Sequence, residues 1–175
     1  MATQENKPIV KATLTVATAL KRAAALMNAG KPKEAEQILR AILSAKPDQF
    51  DALHLLGIQK AMQGAHEEAI GFLIHALKIN PKSAEAFSNL GNALQNAKRN
   101  EEALASYDKA LNIKPDSAET LCNRGVVLRH LGRHAEALKS YDQALALKPD
   151  YAQALKNRDH VLQDIMRQGA DKPKR

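Results

Sequence analysis

The chain has 175 residues, with 45% hydrophobic but only 3% aromatic content, no tryptophan and a formal net charge of +7. Ala, Leu, Lys and Glu, all strong helix formers, dominate, while the residues that fill strands are scarce, so an all-α architecture is predicted. More than half of the charge excess lies at the ends, residues 1–15 carrying +1 and residues 166–175 carrying +3, which leaves the remainder too dilute for the basic stripe that phosphate neutralisation needs and argues against a nucleic-acid partner.

From the N-terminus, residues 1–9 are polar and are expected to be disordered. The nearest approach to a membrane segment, Ala12 to Leu20, falls short of roughly 18 apolar residues, contains Thr, and is stopped by Lys21 and Arg22, so neither a membrane span nor a signal peptide is expected. A strict period then begins. Pro47, Pro81, Pro115 and Pro149 are 34 residues apart, and so are Ala35, Ala69, Ala103 and Ala137, as well as Gly57, Gly91 and Gly125. Such self-similarity marks a repeated structural unit. The units run over 16–49, 50–83, 84–117 and 118–151, with a closing helix over 151–168 that completes a domain spanning 10–168. A basic tail over 169–175 is expected to be disordered.

Within each unit apolar residues recur at i, i+3, i+4 and i+7, twice over, as in Phe87, Leu90 and Leu94 followed by Leu104, Tyr107 and Leu111, which predicts a helix pair. Gly30, Gly64 and Gly132 fall between the two helices, where a left-handed cap favours a residue without Cβ. Lys98 stands in that place in the third unit, and Asn96 or Asn100 is expected to take over the cap. Each proline closes its pair by removing an N–H and forcing Lys46, Asn80, Lys114 and Lys148 out of the α region. Asp48, Ser83, Asp116, Ser117 and Asp150 then stand ready to cap the next helix.

The third unit, with Phe87, Leu90, Gly91, Leu94, Ala103, Tyr107, Ala110 and Pro115, resembles the tetratricopeptide repeat. The fourth, with Leu121, Gly125, Leu128, Ala137, Tyr141, Ala144 and Pro149, departs only in carrying Arg124 for Leu; the second carries Lys60 for an aromatic, and the first lacks the glycine. The resemblance implies a right-handed superhelix, an α-solenoid of four helix-turn-helix units plus a capping helix, in which the first helix of each pair lines a concave groove. It further implies that the chain works as a scaffold holding a protein or peptide ligand in that groove, or self-assembles as a homo-oligomer, and is itself no enzyme.

On the implied inner face Asn89, Asn123 and Asn157 are again 34 apart. A carboxamide offers one acceptor and two donors and pairs with peptide backbone irrespective of side chains. This ladder is similar to that of the repeat arm of O-linked N-acetylglucosamine transferases, so the chain is alternatively the substrate-docking arm of a larger glycosyltransferase. Three copies are also what inheritance of the repeat pattern alone would leave. Leu55 and Lys21 at the corresponding places confine the ladder to the C-terminal half. Ser88, Asn92, Gln95, Arg129 and Lys156 join it as peptide-binding candidates, with His54, Cys122 and His160 as further inward residues and Asp51, Glu85 and Glu119 at the helix starts. Leu20, Ala24, Leu55, Glu85 and Asn89 occupy the places of the carboxylate clamp found in chaperone-binding repeats, so that clamp is absent.

His130 and His134 have the i, i+4 spacing of a metal-ligand pair, but Gly132 divides them between two helices and no carboxylate or thiolate set accompanies them, so no metal or other cofactor is expected. Cys122 has no partner at nucleophile spacing. As the only cysteine it forms no internal disulfide, which suits a reducing, cytoplasmic setting.

Overall fold

The computed structural model describes residues 15–170, so the expectations for residues 1–9 and for most of the basic tail lie outside the described residues. Among these there are nine helices and no strand: α1 Val16–Asn28, α2 Pro32–Ala45, α3 Phe50–Met62, α4 His66–Ile79, α5 Ala84–Asn96, α6 Asn100–Ile113, α7 Ala118–His130, α8 His134–Leu147 and α9 Ala152–Ala170. None is long and apolar enough to cross a membrane.

Local chemistry sets the boundaries. Ahead of Pro47, Pro81, Pro115 and Pro149, the residues Lys46, Asn80, Lys114 and Lys148 all leave the helical region, with φ between −140° and −125° and ψ between 85° and 92°. Ser83 and Ser117 cap α5 and α7, their hydroxyls accepting from Ala86 N and Thr120 N. The aspartates do not cap: Asp48 precedes the cap residue Gln49 by one and instead accepts from His75 Nε2 at 3.0 Å. Asp116 and Asp150 likewise fall one residue before Ser117 and Tyr151, too early to reach the first-turn N–H groups.

Every turn inside a pair has the same two-bond closure. In the first, Gly30 N donates to Met27 O and Lys31 N to Leu26 O; this is the Schellman arrangement, which needs a left-handed residue. Gly30, Gly64 and Gly132 supply it with φ of 71°, 78° and 71°. In the third pair Lys98 itself adopts φ 64°, and Lys98 N and Arg99 N close the same bonds to Gln95 O and Leu94 O. Neither Asn96, still helical, nor Asn100, already in α6, takes over the cap, because the hydrogen bonds fix which residue must turn.

Helices pack within pairs and against the next pair in sequence. In addition each first helix touches the first helix of the following pair, α1 to α3, α3 to α5, α5 to α7 and α7 to α9, whereas no second helix touches another second helix. The first helices therefore lie closer together, and they form the inner wall of a curved stack. Within the second, third and fourth pairs a glycine lets the axes approach: a methyl group at Gly57, Gly91 or Gly125 would lie 2.6 Å from Leu73 Cγ, 2.5 Å from Tyr107 Cε1 or 2.6 Å from Tyr141 Cε1. Leu73, Tyr107 and Tyr141 are fully buried, as are Ala69, Ala103 and Ala137 at the start of the same helices. Around them the core continues from pair to pair through Leu90, Leu94, Leu121, Leu128 and Val161.

The departure at Arg124 has a structural cause. Its Nε donates to Asp108 Oδ1 at 2.6 Å and its Nη1 to Ser140 Oγ at 2.7 Å. One repeat further, Arg158 Nε donates to Asp142 Oδ1 at 2.6 Å. One repeat earlier, the same places hold Leu90 and Ile74, which line one shallow cleft together. Thus an apolar junction gives way to two ionic ones where both members change together.

Replacing Gly91 by Ala is expected to cost about 1–3 kcal/mol, because Tyr107 has no room to retreat. Replacing Lys98 by Gly is expected to stabilise by about 1 kcal/mol by removing the left-handed penalty of a side chain. Denaturant midpoints of the two variants, moving in opposite directions, check both expectations.

Candidate functional site

The three asparagines of the ladder occupy matching places on α5, α7 and α9 and are each half-buried, which places them between neighbouring inner helices rather than out on an open face. Their carboxamide nitrogens all point back toward the preceding inner helix. Asn89 Nδ2 donates to His54 Nε2 at 2.9 Å, Asn123 Nδ2 to Asn92 Oδ1 at 3.0 Å, and Asn157 Nδ2 approaches Cys122 Sγ at 3.9 Å. Asn157 Oδ1 accepts from Gln153 Nε2 at 3.0 Å. Among the described residues nothing bonds to the oxygen of Asn89 or Asn123, and each carboxamide retains a second N–H.

Beneath this row the inner wall is tied to the core. The Tyr107 hydroxyl donates to Asn92 Oδ1 at 2.7 Å, with Gln95 Oε1 3.0 Å away, so Asn92 joins the buried tyrosine of α6 to Asn123 of α7. Burial holds the Tyr107 and Tyr141 hydroxyls above the ordinary tyrosine range, which keeps both protonated. Val126 stands where Asn92 would be in the next repeat, and the Tyr141 hydroxyl is buried there without a hydrogen-bond partner. Asn92 and Gln95 therefore act first as supports of the wall.

The remaining candidates divide. Ser88 Oγ is 3.1 Å from Thr120 Oγ1, a contact that joins α5 to α7. Arg129 Nε donates to Asp164 Oδ2 at 2.7 Å across α7 and α9, and this bond holds the Asp164 carboxyl below its usual range. Lys156 is exposed. Glu85, Ser88, Asn89, Ser117, Glu119 and Thr120, together with Lys114, line a cleft of about 360 Å³ beside the first rung.

Two inward residues are not part of the open surface. Cys122 is 1% exposed, and burial pushes its thiol above the usual range. His54 is 7% exposed, with its ring stacked on Phe50 at 5.5 Å between centroids. Burial lowers its imidazole below the ordinary 6.5, against the opposing fields of Glu85 and Asp51. Both lie one residue before the inner-face position in their repeats, as Ser88 does, and that offset turns them toward the neighbouring helix. His130 and His134 fall on α7 and α8, and no group of three His, Cys, Asp or Glu able to hold a metal occurs among the described residues. Thr120, buried beside the serine cap, was not distinguished by the sequence; its only signal is its place three residues after Ser117.

Sequence models of the tetratricopeptide repeat match residues 16–58 and residues 82–150, together well over half of the chain. No curated protein sequence matches it. Among solved structures, the crystal structure of MamA protein superposes with a TM-score of 0.76 at 21% identity, over 85% of this chain and 86% of that one. MamA from residue 41 onward of Desulfovibrio magneticus RS-1 gives a TM-score of 0.72 at 18% identity, over 80% and 79% of the two chains. The hetero-tetramer of the APC/C proteins Cut9 and Hcn1 gives a TM-score of 0.79 at 21% identity, over 85% of this chain and 30% of that one. With a 34-residue period, matched helix pairs and these likenesses of fold, the chain belongs to the tetratricopeptide-repeat family.

Proposed function

We propose that the chain is a protein-interaction scaffold that binds an extended segment of a partner along its inner wall, gripping the segment's backbone through Asn89, Asn123 and Asn157, with no catalytic centre of its own. The observation that carries this reading is the tethering of successive carboxamides to the preceding inner helix through their nitrogens, with no described residue bonded to the oxygens of Asn89 and Asn123. Holding a side chain in place before binding reduces the entropy lost when a ligand arrives. Ser88, Arg129 and Lys156 border the row and contribute side-chain contacts.

Inner helices about 10 Å apart match about three residues of extended chain per rung, so three rungs hold about seven to nine residues. Backbone pairing leaves the partner's side chains largely unread. Such recognition is sequence-tolerant and takes its selectivity from the few polar groups beside the ladder. Of the structures similar in fold, Cut9 with Hcn1 is a hetero-tetramer, which accords with a scaffold role for such a stack.

A randomised nonapeptide library selected on the immobilised chain provides the ligand for the test. The double variant Asn89→Ala with Asn123→Ala is expected to bind an enriched nonapeptide roughly thirtyfold more weakly, corresponding to about 2 kcal/mol for two lost backbone pairs. The variant should remain folded with a somewhat lower denaturant midpoint, because His54 and Asn92 each lose a donor while the bond from Tyr107 to Asn92 is kept. Calorimetry showing equal affinity for parent and variant, or a library with no enrichment, would exclude the ladder as the binding element.

A further inference from the structure

We propose that His54 sets the orientation of the Asn89 carboxamide, and that protonation of this imidazole turns the first rung of the inner wall over. The inference deepens the reading of the ladder as a peptide site and rests on it for its consequence for binding, though not for the switch itself.

Asn89 Nδ2 lies 2.9 Å from His54 Nε2. A carboxamide nitrogen only donates, so the imidazole must present a lone pair there, and its proton must sit on Nδ1. Protonation puts a proton on Nε2 as well, and two donors then face each other at hydrogen-bond distance. Rotation of the carboxamide by half a turn removes the conflict at little cost, since Oδ1 then accepts from Nε2–H and Nδ2 takes the place of the oxygen toward the groove. The rung that offered an acceptor now offers donors.

The surroundings make this a two-state element rather than a drift. His54 is 7% exposed and its ring is stacked on Phe50, so it cannot swing out to water without giving up that packing. The charged groups acting on it are Glu85 on α5 and Asp51 on its own helix, both of which favour the charged ring, while burial opposes it and prevails. No other rung shares this chemistry. Asn123 is held by the neutral carboxamide of Asn92, and Asn157 faces a thiol that burial moves further from titration at neutral pH. Acidification therefore changes the polarity of one end of the ladder and leaves the other two rungs as they are.

Long-range ¹⁵N–¹H correlation of the histidine rings in the full chain, with the Asn89 side-chain NH₂ signals followed through a pH titration, tests the switch without any ligand. At neutral pH His54 should show the Nδ1–H tautomer, its midpoint should lie below 6.5, and the Asn89 NH₂ signals should move with the same midpoint. In His54→Gln, which offers a carboxamide oxygen as acceptor in place of the ring nitrogen and cannot titrate, the Asn89 signals should stay still over that range. An Nε2–H tautomer at neutral pH, or Asn89 signals that ignore the imidazole transition, overturns the proposal. Because the neutral ring is favoured in the fold, its contribution to stability is complete above pH 6.5 and is lost as pH falls through the folded value; His54→Gln should flatten that part of the stability profile.

For a nonapeptide selected at neutral pH, affinity should drop about fivefold across the transition in the parent and remain level in His54→Gln. Level affinity in the parent, with an amide that does turn, refutes the link to binding. Failure of every nonapeptide to bind refutes the groove reading, while the tautomer and the Asn89 signals still decide the switch.

Discussion

The structure depends on a close approach between the two helices of the second, third and fourth pairs, at Gly57, Gly91 and Gly125. A large side chain of the second helix, Leu73, Tyr107 or Tyr141, lies flat against each glycine, closer than any Cβ would permit. Once that contact is made, the alanines at the start of the second helices close the remaining space, and the helix pair becomes one rigid body with an apolar flank left over. A single pair cannot cover that flank, so the next pair must. Stacking follows from local packing, and the inner wall follows from stacking.

The same tyrosine that fills the space above Gly91 reaches the inner wall with its hydroxyl. Tyr107 holds Asn92, and Asn92 holds Asn123 on the next helix, so the position of one rung is set by a residue in the core of the preceding pair. In the fourth repeat Val126 interrupts this chain and Tyr141 keeps an unpaired hydroxyl. The rungs are therefore alike in residue type yet differ in what orients them: an imidazole for Asn89, a carboxamide for Asn123, and a thiol with a glutamine for Asn157. Chemical differences along the row originate in these supports.

Every junction between pairs carries an ion pair, Lys60 with Glu36 and Arg99 with Glu67 in the earlier ones, but at the place held by Leu90 and Ile74 charge enters only in the later repeats. Arg124 with Asp108 and Arg158 with Asp142 replace the apolar Leu90 and Ile74, and Arg129 with Asp164 fastens α7 to α9. These pairs are partly solvated, with Arg124 and Asp108 at 21% and 45% exposure, so they contribute modestly to stability. Their bond geometry nevertheless fixes register, because a guanidinium bonded to one carboxylate tolerates less sliding than one leucine against another.

The sequence by itself determined the repeat length, the helix pairs, the proline boundaries and the glycine turns, because each of these is a preference of a few adjacent residues for particular backbone angles. It also placed Asn89, Asn123 and Asn157 in one row, since equal spacing in a regular stack means equal position. Only the tertiary structure decided that Lys98 takes the left-handed angle, that serines rather than aspartates cap α5 and α7, that Cys122 and His54 turn away from the groove, and which atom each asparagine meets. Those outcomes depend on the offset and rotation of one helix against another, which large buried side chains fix across a distance in the chain that no local pattern encodes.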